Sequence, residues 1–303
     1  MFSKCGCNLV HQNTCNMKKL SLLCFATLLV FYCSAQVDSL ALDKVFGRKG
    51  TVAGDVYRVT FPRGDMKISV GDFSVAPGLA LTSWVALHRM GSESMMMGDL
   101  CMLDSEEPAV VAKLVELGLG VTAIHNHLVG EKPAIKFLHF SGSGEATTLA
   151  TKIKQVFALT GTPLGTPTIP AAPTSTPDWS VVEAQLGTKG RKSGYIISYG
   201  FPRNEKLMES GMEMPPAMGM ATGINLQMDG GRVATTGDFV LLADEVNKVV
   251  KALETHGITV TAIHNHMLYD EPRLFMLHFW GVGEPGKIAE GLKAALDQTN
   301  SKK

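Results

Sequence analysis

The sequence predicts an α+β fold of two tandem homologous domains, each an antiparallel sheet whose back half runs β-α-β-β-α. Three observations predict it. The phrase VTAIHNHLVGEKPAIKFLHFSGSGE from Val121 recurs without a gap as VTAIHNHMLYDEPRLFMLHFWGVGE from Val260, with 14 of 25 positions identical. Shorter matches lie upstream at nearly the same offset: Phe61-Pro62-Arg63 faces Phe201-Pro202-Arg203, and Gly98-Asp99 faces Gly237-Asp238. Such a period is a duplicated domain, not a solenoid repeat. Finally, the stretch between the copies, 161–177, is rich in Pro and Thr and has no apolar period, as a partly extended linker would be.

Residues 1–35 read as a signal peptide preceded by an extension. Met17-Lys18-Lys19 precedes an apolar run from Leu20 to Tyr32 and then Cys33-Ser34-Ala35-Gln36. That order is a secretory signal with cleavage after Ala35, and the run is too short to span a bilayer comfortably. The protein is therefore expected to be periplasmic or secreted, with no transmembrane segment in the mature chain. Five of the six cysteines fall in the removed segment, which leaves Cys101 alone in the run Leu100-Cys101-Met102-Leu103. A single thiol has no partner in its own chain, so Cys101 is expected to be a small buried hydrophobe. Removal of Lys4, Lys18 and Lys19 takes the formal charge from zero to −3. No basic stripe remains, which argues against a nucleic-acid partner. A small molecule or a protein is left as the partner class.

The first domain, 36–160, opens with strand-like runs at Tyr57–Phe61, Met66–Val70 and Leu79–His88, expected to form a further β layer. Leu100–Leu103 is the next strand, and Asp104 or Ser105 with Pro108 opens a helix over Ala109–Leu117 that Gly118 ends. Val121–His127 and Ala134–Ser141 are strands around a turn at Gly130–Pro133, and a helix runs from Gly144 to about Leu159. The second domain, 178–299, repeats this as strand Phe239–Leu242, helix Asp244–Thr255, strands Ile258–His266 and Arg273–Trp280, and helix Gly286–Leu296.

Six of the nine histidines lie in the repeated phrase. On a strand, His125 and His127 share a face, and pairing His125 with His139 puts all three on one side. His264, His266 and His278 repeat the arrangement. Three imidazoles around one point are a metal's ligand set, with zinc the leading candidate and copper behind it. Each domain is thus expected to carry its own H-x-H…H triad. Glu131 and Asp270, matched in the turn, are candidates for a fourth ligand, an acceptor for a ring N–H, or the general base of a hydrolytic site. The alternative is a non-enzymatic ligand- or partner-binding module whose histidines are structural. A cupin would need a later histidine on a distant strand, and the HNH nuclease fold needs a ββα context and a basic surface. Asn126 and Asn265 read as structural hydrogen-bonding groups, and Glu145 and Glu284 as helix starts. The arginine of each Phe-Pro-Arg would sit at a strand end, either holding an anion or solvated. Met95-Met96-Met97 and Met208, Met212, Met214, Met218 and Met220 offer either copper-binding thioethers or fillers of irregular contacts.

The phrases TAIHNH, EPRLFMLHFW, PPAMGMATGINLQ and TGDFVLLADEVNKVVKALETHGITVTAIHNHM resemble the LppY/LpqO family of exported bacterial proteins. The resemblance covers both copies. It implies export and a duplicated domain of unknown function, and it supplies no activity. Members of that family are lipoproteins, whereas Phe31-Tyr32 before Cys33 makes a poor lipobox here.

Overall fold

The structure is a computed structural model that describes residues 37–165 and 177–303. The expected signal peptide and most of the linker lie outside the described residues. In the first copy, α1 (Ser39–Phe46) precedes β1 (Thr51–Ala53), β2 (Val56–Pro62), β3 (Ile68–Val70), β4 (Phe73–Val75), α2 (Pro77–Ala80), β5 (Thr82–Met90) and β6 (Glu93–Leu103). Then come α3 (Glu107–Glu116), β7 (Gly120–His125), β8 (Glu131–Lys132), β9 (Ile135–Gly144) and α4 (Ala146–Phe157). The second copy repeats this order: α5 (Ser180–Leu186), β10 (Arg191–Ser193), β11 (Ile196–Pro202), β12 (Met208–Glu209), β13 (Met212–Glu213), β14 (Ala221–Asp229) and β15 (Arg232–Leu241). It closes with α6 (Ala243–Thr255), β16 (Thr259–His264), β17 (Asp270–Glu271), β18 (Phe275–Gly283) and α7 (Pro285–Leu296).

The fold is α+β, with antiparallel sheets and two similar halves. Each copy builds one six-stranded sheet, in the order β1-β2-β5-β6-β9-β7 and β10-β11-β14-β15-β18-β16. Of the expected front strands, β2 and β5 therefore complete the same sheet as the back half, while β3 pairs with β4 and β8 in a small three-stranded sheet whose counterpart in the second copy is β13-β12-β17. Part of the expected strand Leu79–His88 is the helical turn α2, which Pro77 starts. The run Met95–Met97 lies inside β6, which is far longer than its apolar end suggested.

Period-two alternation gives each sheet two different faces. Leu138 and Phe140 of β9 join Met96, Leu100 and the apolar sides of α1, α3 and α4 in the core of the first copy. Phe239, Leu277 and Phe279 do the same against α5, α6 and α7. The opposite faces meet residues of the other copy. Trp84, Ala86, Met95 and Met97 pack with Met214, Met218, Met220 and Met276, and Ile68, Phe73, Cys101 and Phe137 pack with Ala234 and Trp280. The singled-out methionines other than Met208 are thus core fillers in strands and their flanking turns. Cys101 is fully buried, as expected.

Paired hydrogen bonds join the copies. Thr122 Oγ1 donates to the His266 carbonyl at 2.6 Å, and Thr261 Oγ1 donates to the His127 carbonyl at 2.8 Å. These two bonds exchange under the duplication, so the copies are related by a pseudo-two-fold axis. Where the sequence suggested separate units on a flexible linker, the two copies share apolar cores and form one compact unit.

The Phe-Pro-Arg arginines are neither solvated nor set for an anion from solution. Arg63 is fully buried, held by Asp65 at 2.9 Å, by Glu106 at 3.0 Å and by the Cys101 carbonyl at 2.7 Å. Arg203 repeats this with Glu205, Glu245 and the Val240 carbonyl. Glu106 and Glu245 also accept from the backbone N–H of Leu103 and Leu242, so each pair ties a strand end to the start of the next helix. Removing one partner strands a charge in a dry site. Arg63→Ala should cost about 3–5 kcal/mol, read by urea denaturation. A loss below about 1 kcal/mol would mean the pair behaves as a surface ion pair.

Candidate metal centre between the two copies

The register explains why the histidines converge. In β7 and β9, His125 pairs with Phe137 and Ala123 with His139, two residues away from the expected pairing of His125 with His139. A shift of two preserves the face, so both side chains still leave the sheet on the side away from the helices. In β16 and β18, His264 pairs with Met276 and Ala262 with His278. His127 and His266 follow just beyond their strands.

The structure brings all six together, but not as two separate triads. The closest histidine pairs cross between copies: His125 with His264 at 3.7 Å between centroids, His127 with His278 at 3.8 Å, and His139 with His266 at 4.0 Å. Within the first copy, His125 stands 5.1 Å from His127 and 4.9 Å from His139. His125, His139, His266 and His278 are buried. The triad per domain is thus replaced by one cluster built from both domains, because the helix-free faces that carry the histidines pack against each other.

The acids that meet the imidazoles are Asp99 and Asp238, which the sequence reasoning did not select. Asp99 pairs with His139 across β6 and β9, and Asp238 with His278 across β15 and β18. Asp99 Oδ2 lies 3.4 Å from His127 Nε2, and Asp238 Oδ2 lies 2.9 Å from His266 Nε2. Both contacts fall outside hydrogen-bond geometry and leave these ring nitrogens without a hydrogen-bond partner. The signal was present in the repeated Gly98-Asp99 and Gly237-Asp238. The glycine has a role of its own. A Cβ at Gly98 would collide with the Trp84 carbonyl and the Phe140 ring, and one at Gly237 with the Gly223 carbonyl and Phe279. Its carbonyl accepts from the histidine across the strand pair, His139 Nδ1 at 3.3 Å and His278 Nδ1 at 2.6 Å. A ring whose Nδ1–H is fixed on a backbone carbonyl presents Nε2 as a lone pair, which is how metal-bound histidines are oriented.

Glu131 and Asp270 have other work. Glu131 accepts from the Ile135 N–H at 3.3 Å. Asp270 is buried, bound by Arg273 at 2.7 Å and by the Leu274 N–H at 2.5 Å. Each closes its own turn, and neither belongs to the groups of side chains that could hold an ion. Asn126 accepts from Lys136 at 3.1 Å, and Asn265 donates to the Thr122 and Met267 carbonyls, as structural groups do. Glu145 and Glu284 cap α4 and α7 by accepting from two backbone N–H groups each.

Burial sets the electrostatics. It pushes His125 down to about 4 and holds His127, His139, His264 and His278 well below the usual imidazole range, with neighbouring imidazoles adding to the effect. Burial raises the Asp99 carboxyl, against the pull of His125, His266 and Arg58. The Nε2 atoms of all six histidines and one carboxylate oxygen of each aspartate are buried without a hydrogen-bond partner. These and the free Nδ1 atoms of His264 and His266 make ten of the fifteen such side-chain atoms among the described residues. Unsatisfied polar atoms in a native core call for a specific reason, and here they share one location.

A cavity of about 180 Å³ adjoins the cluster on one side, lined by Met95, Met97, Thr122, Ser141, Met267 and Tyr269. Met97 and Ser141 are the next same-face pair after Asp99 and His139. Trp280 stands where the duplication places the counterpart of Ser141, packed edge-on against Phe73 with centroids 6.1 Å apart. A larger cavity of about 290 Å³, lined by Lys189, Arg191, Tyr199 and the last two lysines, includes none of these histidines.

Comparison with known proteins gives a family without an activity. Residues 40–159 and 180–298 each match the family described as Domain of Unknown Function (DUF1259). The chain belongs to this family. No curated protein matches it. Among solved structures it is similar to a trimeric bacterial microcompartment shell protein, PduB, at 10% identity over 82% of this chain and 89% of that one, with a TM-score of 0.19. Among the described residues, no helix is long and apolar enough to cross a membrane.

A histidine that is neutral in the fold gives up protons its unfolded form would hold. For His125, folded near 4 against about 6.5 unfolded, the stability present above pH 6.5 is lost as pH falls from 6.5 towards 4. The melting temperature of metal-free protein should therefore drop between pH 7 and pH 5, a range in which most carboxylates stay ionised. A flat profile over that range by circular dichroism would contradict a cluster of buried neutral imidazoles.

Proposed function

We propose that this chain is an exported protein of the LppY/LpqO type that binds a divalent transition metal at the histidine cluster between its two copies. Zinc is the first candidate. One observation carries the reading: six buried Nε2 atoms with no hydrogen-bond partner, drawn from both copies, belong to rings that cluster at one place. A buried polar atom left unpaired costs about 1–3 kcal/mol. A cation with nitrogen and carboxylate ligands satisfies many such atoms together, and neutral imidazole is the form that ligates. Groups of three drawn from these residues have ligand atoms within 4.8 Å of one another. Copper is less favoured, because the methionines fill apolar cores between the copies instead of joining the histidines.

Export rests on the sequence: Lys18-Lys19, the apolar run to Tyr32, and Ser34-Ala35 before Gln36. N-terminal sequencing of protein recovered from the producing bacterium should begin at Gln36. An acylated Cys33 or an uncleaved start would contradict cleavage there.

Metal content tests the central reading. Protein purified without a histidine tag should carry zinc by inductively coupled plasma mass spectrometry. Stripped of metal, it should gain several degrees in melting temperature when zinc is returned. Protein that carries no transition metal and does not respond to zinc would leave the non-enzymatic module with structural histidines.

A further inference from the structure

Building on the metal reading, we infer that the cluster holds two divalent transition-metal ions, each bound by three histidines and one aspartate drawn from both copies. One set is His125, His127 and Asp99 from the first copy with His278 from the second. The other is His264, His266 and Asp238 from the second copy with His139 from the first.

Two observations divide the eight side chains this way. The ligand atoms of His125, His127 and His278 lie within 4.8 Å of one another, and so do those of Asp238, His264 and His266. These groups have no residue in common, so both can be occupied together. The duplication then supplies the fourth member of each. Asp99 stands to His127, at 3.4 Å, as Asp238 stands to His266, at 2.9 Å. The His139 ring lies 4.0 Å from His266, as the His278 ring lies 3.8 Å from His127. The pseudo-two-fold therefore maps one four-residue set onto the other, and together they use every imidazole and both carboxylates.

Ligand count points the same way. Zinc takes about four protein ligands in a closed tetrahedral site. Eight donors suit two ions, whereas one central ion would leave several buried imidazoles unpaired. A third group, His125, His139 and His264, also has its ligand atoms within 4.8 Å and marks where a single shared ion would sit. It draws on both sets, so its occupation excludes theirs. With four protein donors each, the two ions have no open position in tetrahedral geometry. Their role is then to cross-link the copies, since each set takes ligands from both, and not to activate water for hydrolysis.

Cobalt(II) titration of the full-length, metal-free protein tests this, because tetrahedral cobalt gives an intense visible absorption. The absorption should rise linearly and stop at two equivalents per chain. His127→Gln and His278→Gln come from different copies but one set. Either change, or both together, should leave one equivalent. His127→Gln with His266→Gln touches both sets and should leave none. Saturation of the wild type at one equivalent would overturn the two-ion inference and keep the metal reading. Loss of both ions in the His127→Gln/His278→Gln protein, folded by circular dichroism, would overturn the assignment of sets. No cobalt uptake by the wild type would overturn both readings. The wild-type titration decides the stoichiometry even where a variant fails to fold.

Discussion

Two sheets, each covered by helices on one side only, meet through the sides their helices leave bare. An isolated copy would expose Trp84, Met95, Met97 and Phe137, or Met218, Met220, Met276 and Trp280, along with three histidines and an aspartate. Packing the copies buries that apolar area, at about 25 cal/mol per Å². It also forces eight polar side chains, five of them buried, between the two sheets. The apolar rim, formed by the two clusters either side of the histidines, is what makes the polar centre tolerable. The threonine exchange between Thr122 and Thr261 then sets the relative position of the two chain segments that carry the H-x-H pairs.

The repeat, the strand alternation and the helix spacing let the α+β class and the back half of each copy be read from the sequence. They also identified the six histidines. Face is a parity property, so an error of two residues in the β7–β9 register left His125 and His139 on the correct side. What parity does not carry is where that face goes. A sheet face bearing histidines and methionines could meet solvent, a ligand or a second sheet, and only the docking of the copies decides among them. Sequence proximity therefore points to a triad inside each domain with the turn acids Glu131 and Asp270 as its companions. Asp99 and Asp238 are neighbours of the histidines across a strand pair, a relation that needs the sheet order β6-β9-β7 to be known. The burial of Arg63 and Arg203 is illegible for a related reason. An arginine at a strand end looks solvated until the partners that bury it, Glu106 and Glu245 at the start of a distant helix, are in view.

The copies differ where the cluster meets its surroundings. Ser141 and Trp280 occupy matching places in β9 and β18, yet one borders a cavity and the other fills an apolar core with Phe73. Glu209, buried and with its carboxyl raised by burial, borders the same cavity. Its counterpart, Val70, packs with the apolar residues around Trp280. Side chains at the rim have thus changed size and polarity between the copies, while His125, His127, His139 and Asp99 match His264, His266, His278 and Asp238 without exception. A rim that packs against only one copy can change independently. In the inferred two-ion arrangement, a residue that completes a set begun by the other copy cannot, because its loss would leave an ion one ligand short. On the two-ion inference, interleaving the two sets across the pseudo-two-fold accounts for both the fixed centre and the divergent rim.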